Sequence, residues 1–269
     1  MAGVAEGFGA GVTRILTVTC GLCSIAWAIW TVPVFQREAV FASPSQHILS
    51  GEQYGTRQLD EFRQQADSFG DAVMRPAALV NVVAIRLRLM EKVLAHPDGQ
   101  ASASSVDSLE AALGAALAVD PSAPFLWLAK YWVQAVRLGY TASDFKLLRM
   151  SYLLGPNEGW IAVNRNPFVL GLFSSLPADL ATDVLSEFKR MVQSELYVNA
   201  AGILAGANVP VRKLLLDEVA QVGEGSRRQL ANALRAKGQD DIEIPGVVEP
   251  VSRSDSFLER NREQPLIPK

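Results

Sequence analysis

From Ile15 to Phe35 the chain reads ILTVTCGLCSIAWAIWTVPVF, twenty-one residues without a charge. A helix of that length extends about 31 Å at ~1.5 Å per residue, matching the ~30 Å hydrocarbon core of a bilayer. Trp27, Trp30 and Phe35 gather toward its carboxyl end, where amphipathic rings favour the headgroup level, and Arg14 closes the amino end. The expectation is one transmembrane helix over 15–35, an uncleaved signal anchor, after a short tail over 1–14. A cleaved signal peptide could use Ala26-Trp27-Ala28, but the leader holds only Arg14 and the apolar run continues past that site. A buried core helix would also be apolar on every face, yet the rest of the chain has amphipathic helices of its own. Arg14 and Arg37 nearly balance the flanks, so orientation rests on the short leader, which favours an exported carboxyl domain.

The net charge of −3, from 25 basic and 28 acidic residues, excludes a surface built to neutralise many phosphates, so nucleic acid is not an expected partner. Ala and Leu dominate the apolar residues, and β-branched alternation is scarce after the anchor, which predicts an all-α soluble part. Cys20 and Cys23 are the two cysteines and both fall in the apolar run. Their C-x-x-C spacing would elsewhere suggest redox or metal chemistry, but a lipid-facing helix supplies neither an activating charge nor further ligands. Val18-Thr19 before Cys20 does not fit a lipoprotein site. The soluble part is left to be stabilised by packing.

Residues 36–54 read as a polar tether, with Ser43-Pro44-Ser45 and Ser50-Gly51 too irregular for a regular element. A helical domain follows over 55–238. Thr56 starts a short helix with Leu59, Phe62 and Ala66 on one side, ending near Gly70. Pro76 opens a stronger one that ends at His96-Pro97-Asp98-Gly99, and Ser104 to Asp107 resembles a capping box for the next. Pro124 begins FLWLAKYWVQAVRL, closed by Gly139; Thr141 to Asp144 caps FKLLRMSYLL, closed by Gly155-Pro156. Next comes NEGWIAVNRN, interrupted by Pro167. A long helix then carries the stripe Leu180, Val184, Leu185, Phe188, Met191 and Val192, and shorter helices are expected over 195–205, 210–221 and 226–237. From Gln239 the periodicity is lost, predicting a disordered tail over 239–269 or a peptide that orders on a partner.

Pro121 and Pro156 lie 35 residues apart, each after a helix end and before an aromatic-led helix, with Trp127 in one and Trp160 in the next. This resembles the tetratricopeptide repeat, a unit of ~34 residues folded as helix, turn, helix. Tyr131 departs from that pattern, standing where the family has a small residue, and Gly139 is one place late. The resemblance implies helical hairpins stacked as a degenerate solenoid behind the transmembrane helix. The run RMSYLLGPNEGWIAVNRN and the following LPADL are also similar to single-pass helical-repeat proteins that accompany bacterial envelope polysaccharide synthesis and export. That likeness implies an accessory subunit in the bacterial inner membrane with a periplasmic domain.

No catalytic constellation stands out, and no cofactor, metal or nucleotide is expected. His47 and His96 are the two histidines, one in the tether and one at a helix end, and the glycines form no phosphate loop. Carboxylates such as Glu158 and Asp179 leave a second class open, a periplasmic glycan-binding or glycan-cleaving helical domain. The expected activity is instead protein binding. In a stacked-hairpin domain the first helices line a concave groove, and there Lys130, Trp132, Arg137, Glu158, Trp160, Asn164 and Arg165 would meet a partner, with Arg165 facing solvent. A structural reading of the same cluster has Asn157 as a helix cap, Trp160 in the core and Arg165 in an internal ion pair. Phe125, Trp127, Tyr131 and Trp132 are expected to serve mainly as core.

Overall fold

The computed structural model describes residues 2–49, 55, 57–58, 60–62, 64, 75–95 and 99–247, and the regular structure among them is helical throughout. The chain divides into two compact units, Met1–Gly155 and Pro156–Lys269.

In the first unit α1 spans Ala2–Leu49, α2 Pro76–Ala95, α3 Gly99–Val119, α4 Pro124–Leu138 and α5 Phe145–Leu154. The apolar part of α1 is uncovered: Ile15 is 70 % and Trp30 81 % exposed. Thr19, Ser24 and Thr31 donate their hydroxyls to carbonyls four residues earlier, at 2.8–2.9 Å, so these polar groups are satisfied within the helix. Among the described residues one helix is long and apolar enough to cross a membrane, close to the amino terminus.

One expectation is corrected by α1. The helix begins at Ala2, within the short 1–14 tail, and residues 36–49 of the supposed tether continue it through Pro44. The reason is tertiary. Glu38, Phe41, Ser45 and Ile48 recur at helical spacing on one side, and Phe41 joins Val82 and Ile85 in a core cluster flanked by Ile48, Phe62 and Leu89. Ser45 bonds Asn81 at 2.7 Å, and the buried Glu38 accepts the Arg75 backbone N–H at 2.9 Å and pairs with its guanidinium. That burial outweighs the turn preference of Ser-Pro-Ser. Residues 50–54 lie outside the described residues, as do Thr56, Leu59, Ala66 and Gly70 of the next expected helix, of which 57–58, 60–62 and 64 are helical.

Helix α2 starts at Pro76 as expected and buries Val82, Val83, Ile85 and Met90. Helix α3 starts at Gly99, so Ser104 to Asp107 lies inside it rather than at its start. Val106, Leu109, Leu113 and Ala116 form its buried stripe, and packing on α2 favours the extra turns over a local cap. Helix α4 ends at Gly139, whose φ of 79° only glycine adopts without strain, and α5 packs back on α4 after a 3-10 turn over Ala142–Asp144.

The second unit holds α6 Gly159–Leu170, α7 Ala178–Gln193, α8 Tyr197–Gly206, α9 Val209–Val219 and α10 Glu224–Ala236. Pro167 does not interrupt α6, which runs through it to Leu170. Leu180, Val184, Phe188, Met191 and Val192 are buried on α7, as the stripe predicts, while Leu185 of that stripe is half-buried. Helix α7 packs on α6, α8 and α9, while α8 packs chiefly on α10. The connection Ala207-Asn208 is short, with Asn208 capping α9 through Val211 at 3.0 Å, and the helices on either side pack mainly on others rather than on each other.

The end of this unit departs from expectation as well. Arg227 donates to the Pro245 carbonyl at 2.5 Å, and Ile242 and Ile244 are buried. Residues 239–247 therefore pack as part of the unit instead of belonging to a disordered tail. The rest of that predicted tail, 248–269, lies outside the described residues.

The recurrence noted around Pro121 and Pro156 extends to the backbone. Residues 120–124 and 155–159 pass through the same sequence of a two-residue turn, one extended residue and a helix start. Leu126 and Ile161, 35 positions apart, are both buried. Trp127 and Trp160 are not equivalent in this register, since Ala162 matches Trp127.

Candidate functional site

Lys130, Trp132 and Arg137 belong to the first unit, on α4. Trp132 stands two residues from Lys130, on nearly the opposite side of the helix, whereas Arg137 lies two turns further along the Lys130 face. Lys130 reaches over the Trp127 ring at 5.9 Å, and the Trp127 indole N–H donates to the Pro121 carbonyl at 2.8 Å. Arg137 pairs with Asp107 and with Glu110, the latter at 3.0 Å, tying α4 to α3. Of the aromatic group, Phe125 and Tyr131 are buried, while Trp127 and Trp132 are half-buried. Tyr131 stacks on Phe145 at 6.2 Å between centroids; burial, then the nearby Tyr140 and Asp144, push its phenol up to about 12.

Glu158, Trp160, Asn164 and Arg165 belong to the second unit. Glu158 itself occupies the residue before α6 and makes no side-chain cap, so the expected Asn157 cap is replaced by an uncapped start. Trp160 is 41 % exposed, its indole N–H on Glu158 at 3.0 Å, which corrects the reading of Trp160 as core. Asn164 is exposed and donates to the Trp160 carbonyl at 3.2 Å.

Arg165 is completely buried, which corrects the groove reading in which it faces solvent, and it forms the internal ion pair of the structural reading. Its Nε and one terminal nitrogen donate to Glu187 Oε1 at 2.9 and 2.6 Å. Asn166 Nδ2 donates to Glu187 Oε2 at 3.2 Å and to the Val184 carbonyl at 2.8 Å. The result is a buried polar knot joining α6 to α7. Glu187 was not foreseen as its partner. The signal was nevertheless present, because Glu187 falls between Val184 and Met191 on the apolar stripe of α7, where a carboxylate must find a donor.

Glu187 also lines a cleft of about 180 Å3 with Pro156, Asn157, Gly159, Arg190 and Leu196. On the same helix burial, then Asp179 four residues away, raise the Asp183 carboxyl above its ordinary 3.8, against the opposing pull of Arg190 and Arg165. Among the described residues no three His, Cys, Asp or Glu side chains are grouped closely enough to hold a metal ion. His96 and the side chain of His47 lie outside the described residues.

The residues of the expected groove thus differ in kind: Trp160, Glu158 and Asn164 are exposed, and Arg165 is not. No known protein family, curated protein or solved structure matches this chain.

Proposed function

We propose that this chain is a membrane-anchored helical scaffold of the tetratricopeptide type that binds a partner protein, as an accessory subunit of an envelope polysaccharide synthesis or export assembly. Its anchor is α1, crossing the bacterial inner membrane once, with the helical units in the periplasm. The observation that carries the reading is the uncovered apolar length of α1, continuous with a helical unit. Each large apolar side chain left in water forgoes about 1.5–3 kcal/mol of burial, which a hydrocarbon environment supplies. Support for a protein partner comes from Trp160, since a half-exposed tryptophan beside a carboxylate has the area and polar handle of an interface anchor. The 35-residue recurrence of turn and helix supports the repeat class. The polysaccharide setting rests on the likeness of RMSYLLGPNEGWIAVNRN and LPADL alone.

A photo-cross-linking amino acid in place of the exposed Asn164, one helical turn from Trp160, tests this in the full chain within bacterial membranes. The expected result is a discrete adduct with one envelope protein, in a membrane fraction resistant to alkaline carbonate. A carbonate-extractable chain would overturn the anchor, and a membrane-resident chain without an adduct would overturn the role of Trp160.

A further inference from the structure

The anchor does not hand over to a flexible tether; it continues as a packed helix of the first unit, and that continuity fixes where the unit meets the bilayer. Two contacts set the direction of α2 against α1. Arg75, just before α2, holds Glu38, and Asn81, further along α2, holds Ser45. The two helices therefore run parallel, and the amino end of α2 lies at the same level as Glu38. Arg75 also places its guanidinium carbon 3.5 Å from the centre of the Phe35 ring, at the end of the apolar run.

Distances along α1 locate this junction. If Ile15 to Phe35 fill the ~30 Å hydrocarbon core, Glu38 stands ~4.5 Å beyond it and Phe41 ~9 Å beyond it, at ~1.5 Å per residue. The headgroup layer is about 5–7 Å deep on each side. Glu38 is only 4 % exposed and ion-paired inside the protein, so the helix cannot slide deeper without drawing its packed partner with it. A flexible segment over 36–54 would instead let the unit wander by about 24 Å root-mean-square.

We propose that the first unit is seated on the phospholipid headgroup layer through the rim formed by Phe35, Arg75 and the first turn of α2, with α1 as a rigid strut. The rim suits that layer chemically. Phe35 is half exposed, Arg75 keeps 42 % of its side chain exposed, Pro76 and Ala77 are exposed, and no acidic residue stands in the first turn of α2. A guanidinium over an aromatic ring at the end of a span is suited to the boundary between phosphate and hydrocarbon. This inference rests on the membrane reading of α1, and the test separates the two.

The full chain, with Cys20 and Cys23 replaced by serine, carries one fluorescent cysteine at Ala77→Cys or, as control, at Val18→Cys. Each protein is reconstituted in phosphatidylethanolamine–phosphatidylglycerol vesicles bearing a spin label on the headgroup or deep in the acyl chain. The chain label should quench the Val18 probe several-fold more than the Ala77 probe, and the Ala77 probe should be quenched several-fold more by the headgroup label than by the chain label. Adding Glu38→Ala, which frees Arg75, should weaken quenching at Ala77 while leaving Val18 unchanged. No chain-label quenching at Val18 overturns the membrane reading and the seat together. Normal quenching at Val18 with none from the headgroup label at Ala77, or an Ala77 signal indifferent to Glu38→Ala, overturns the seat alone.

Discussion

Replacing Arg165 by methionine should unfold the second unit far more readily than its helix propensity or size would suggest. Methionine keeps much of the side-chain length, so the loss is chiefly electrostatic rather than a cavity. It removes both Arg165 hydrogen bonds from Glu187, whose side chain is 2 % exposed, while the amide of Asn166 stays at 3.2 Å. Removing one partner of a buried pair typically costs about 3–5 kcal/mol, because the other charge stays desolvated. For a unit spanning Pro156–Lys269, each kcal/mol moves the melting temperature by roughly 3–6 °C, so a drop of ~10–25 °C is expected. Far-UV circular dichroism of the full chain in detergent measures it. The double variant Arg165→Met with Glu187→Leu should recover most of the loss, since apolar replacement of a whole buried pair is often neutral. A drop below ~5 °C, or a double variant as unstable as the two single losses added together, would refute the assignment of this pair as the joint between α6 and α7.

Other outcomes follow from single features. Because Asp183 has its folded pKa raised above 3.8, its carboxylate opposes folding at neutral pH; Asp183→Asn should raise the melting temperature at pH 7, and that gain should shrink through the raised folded pKa and vanish below ~3.8. A chain ending at Gly238 should be less stable than one ending at Val247 by up to about 3–6 kcal/mol and melt correspondingly lower, since it loses the burial of Ile242 and Ile244; equal melting would mean that the 239–247 segment contributes nothing. Glu195 terminates α7 at φ 66° with Leu196 bonded back to Met191 at 3.0 Å, the arrangement that Gly238 adopts after α10 with Gln239 bonded to Leu234 at 3.1 Å. Glu195→Gly should accordingly stabilise by ~1 kcal/mol, a rise of a few degrees, and a fall would show that the glutamate side chain holds something more valuable than the strain it causes. Trp160→Ala should leave melting nearly unchanged while abolishing the cross-linkable contact, because the ring is exposed; destabilisation by several kcal/mol would return it to the core.

The helical class was legible because it is written in local, periodic chemistry. Pro76 and Pro124 set helix starts, Gly139 and Gly238 set ends, and the stripe from Leu180 to Val192 announced the buried face of α7. The apolar run of α1 was equally plain, since twenty-one residues without charge need no neighbour to be recognised. What escaped were features that depend on residues distant in the chain. Ser43-Pro44-Ser45 reads as a turn until Phe41 and Ser45 are set against Val82 and Asn81, 41 and 36 positions away, whose packing keeps the segment helical. Residues 239–247 carry no period to advertise the burial of Ile242 and Ile244. For Arg165 the sequence left two readings open, a solvent-facing groove cation and a member of an internal ion pair; Glu187, 22 residues on, decides for the pair in a place closed to water. Periodicity reports which face of an element is apolar, whereas the fate of a buried charge is decided by which other element closes over it.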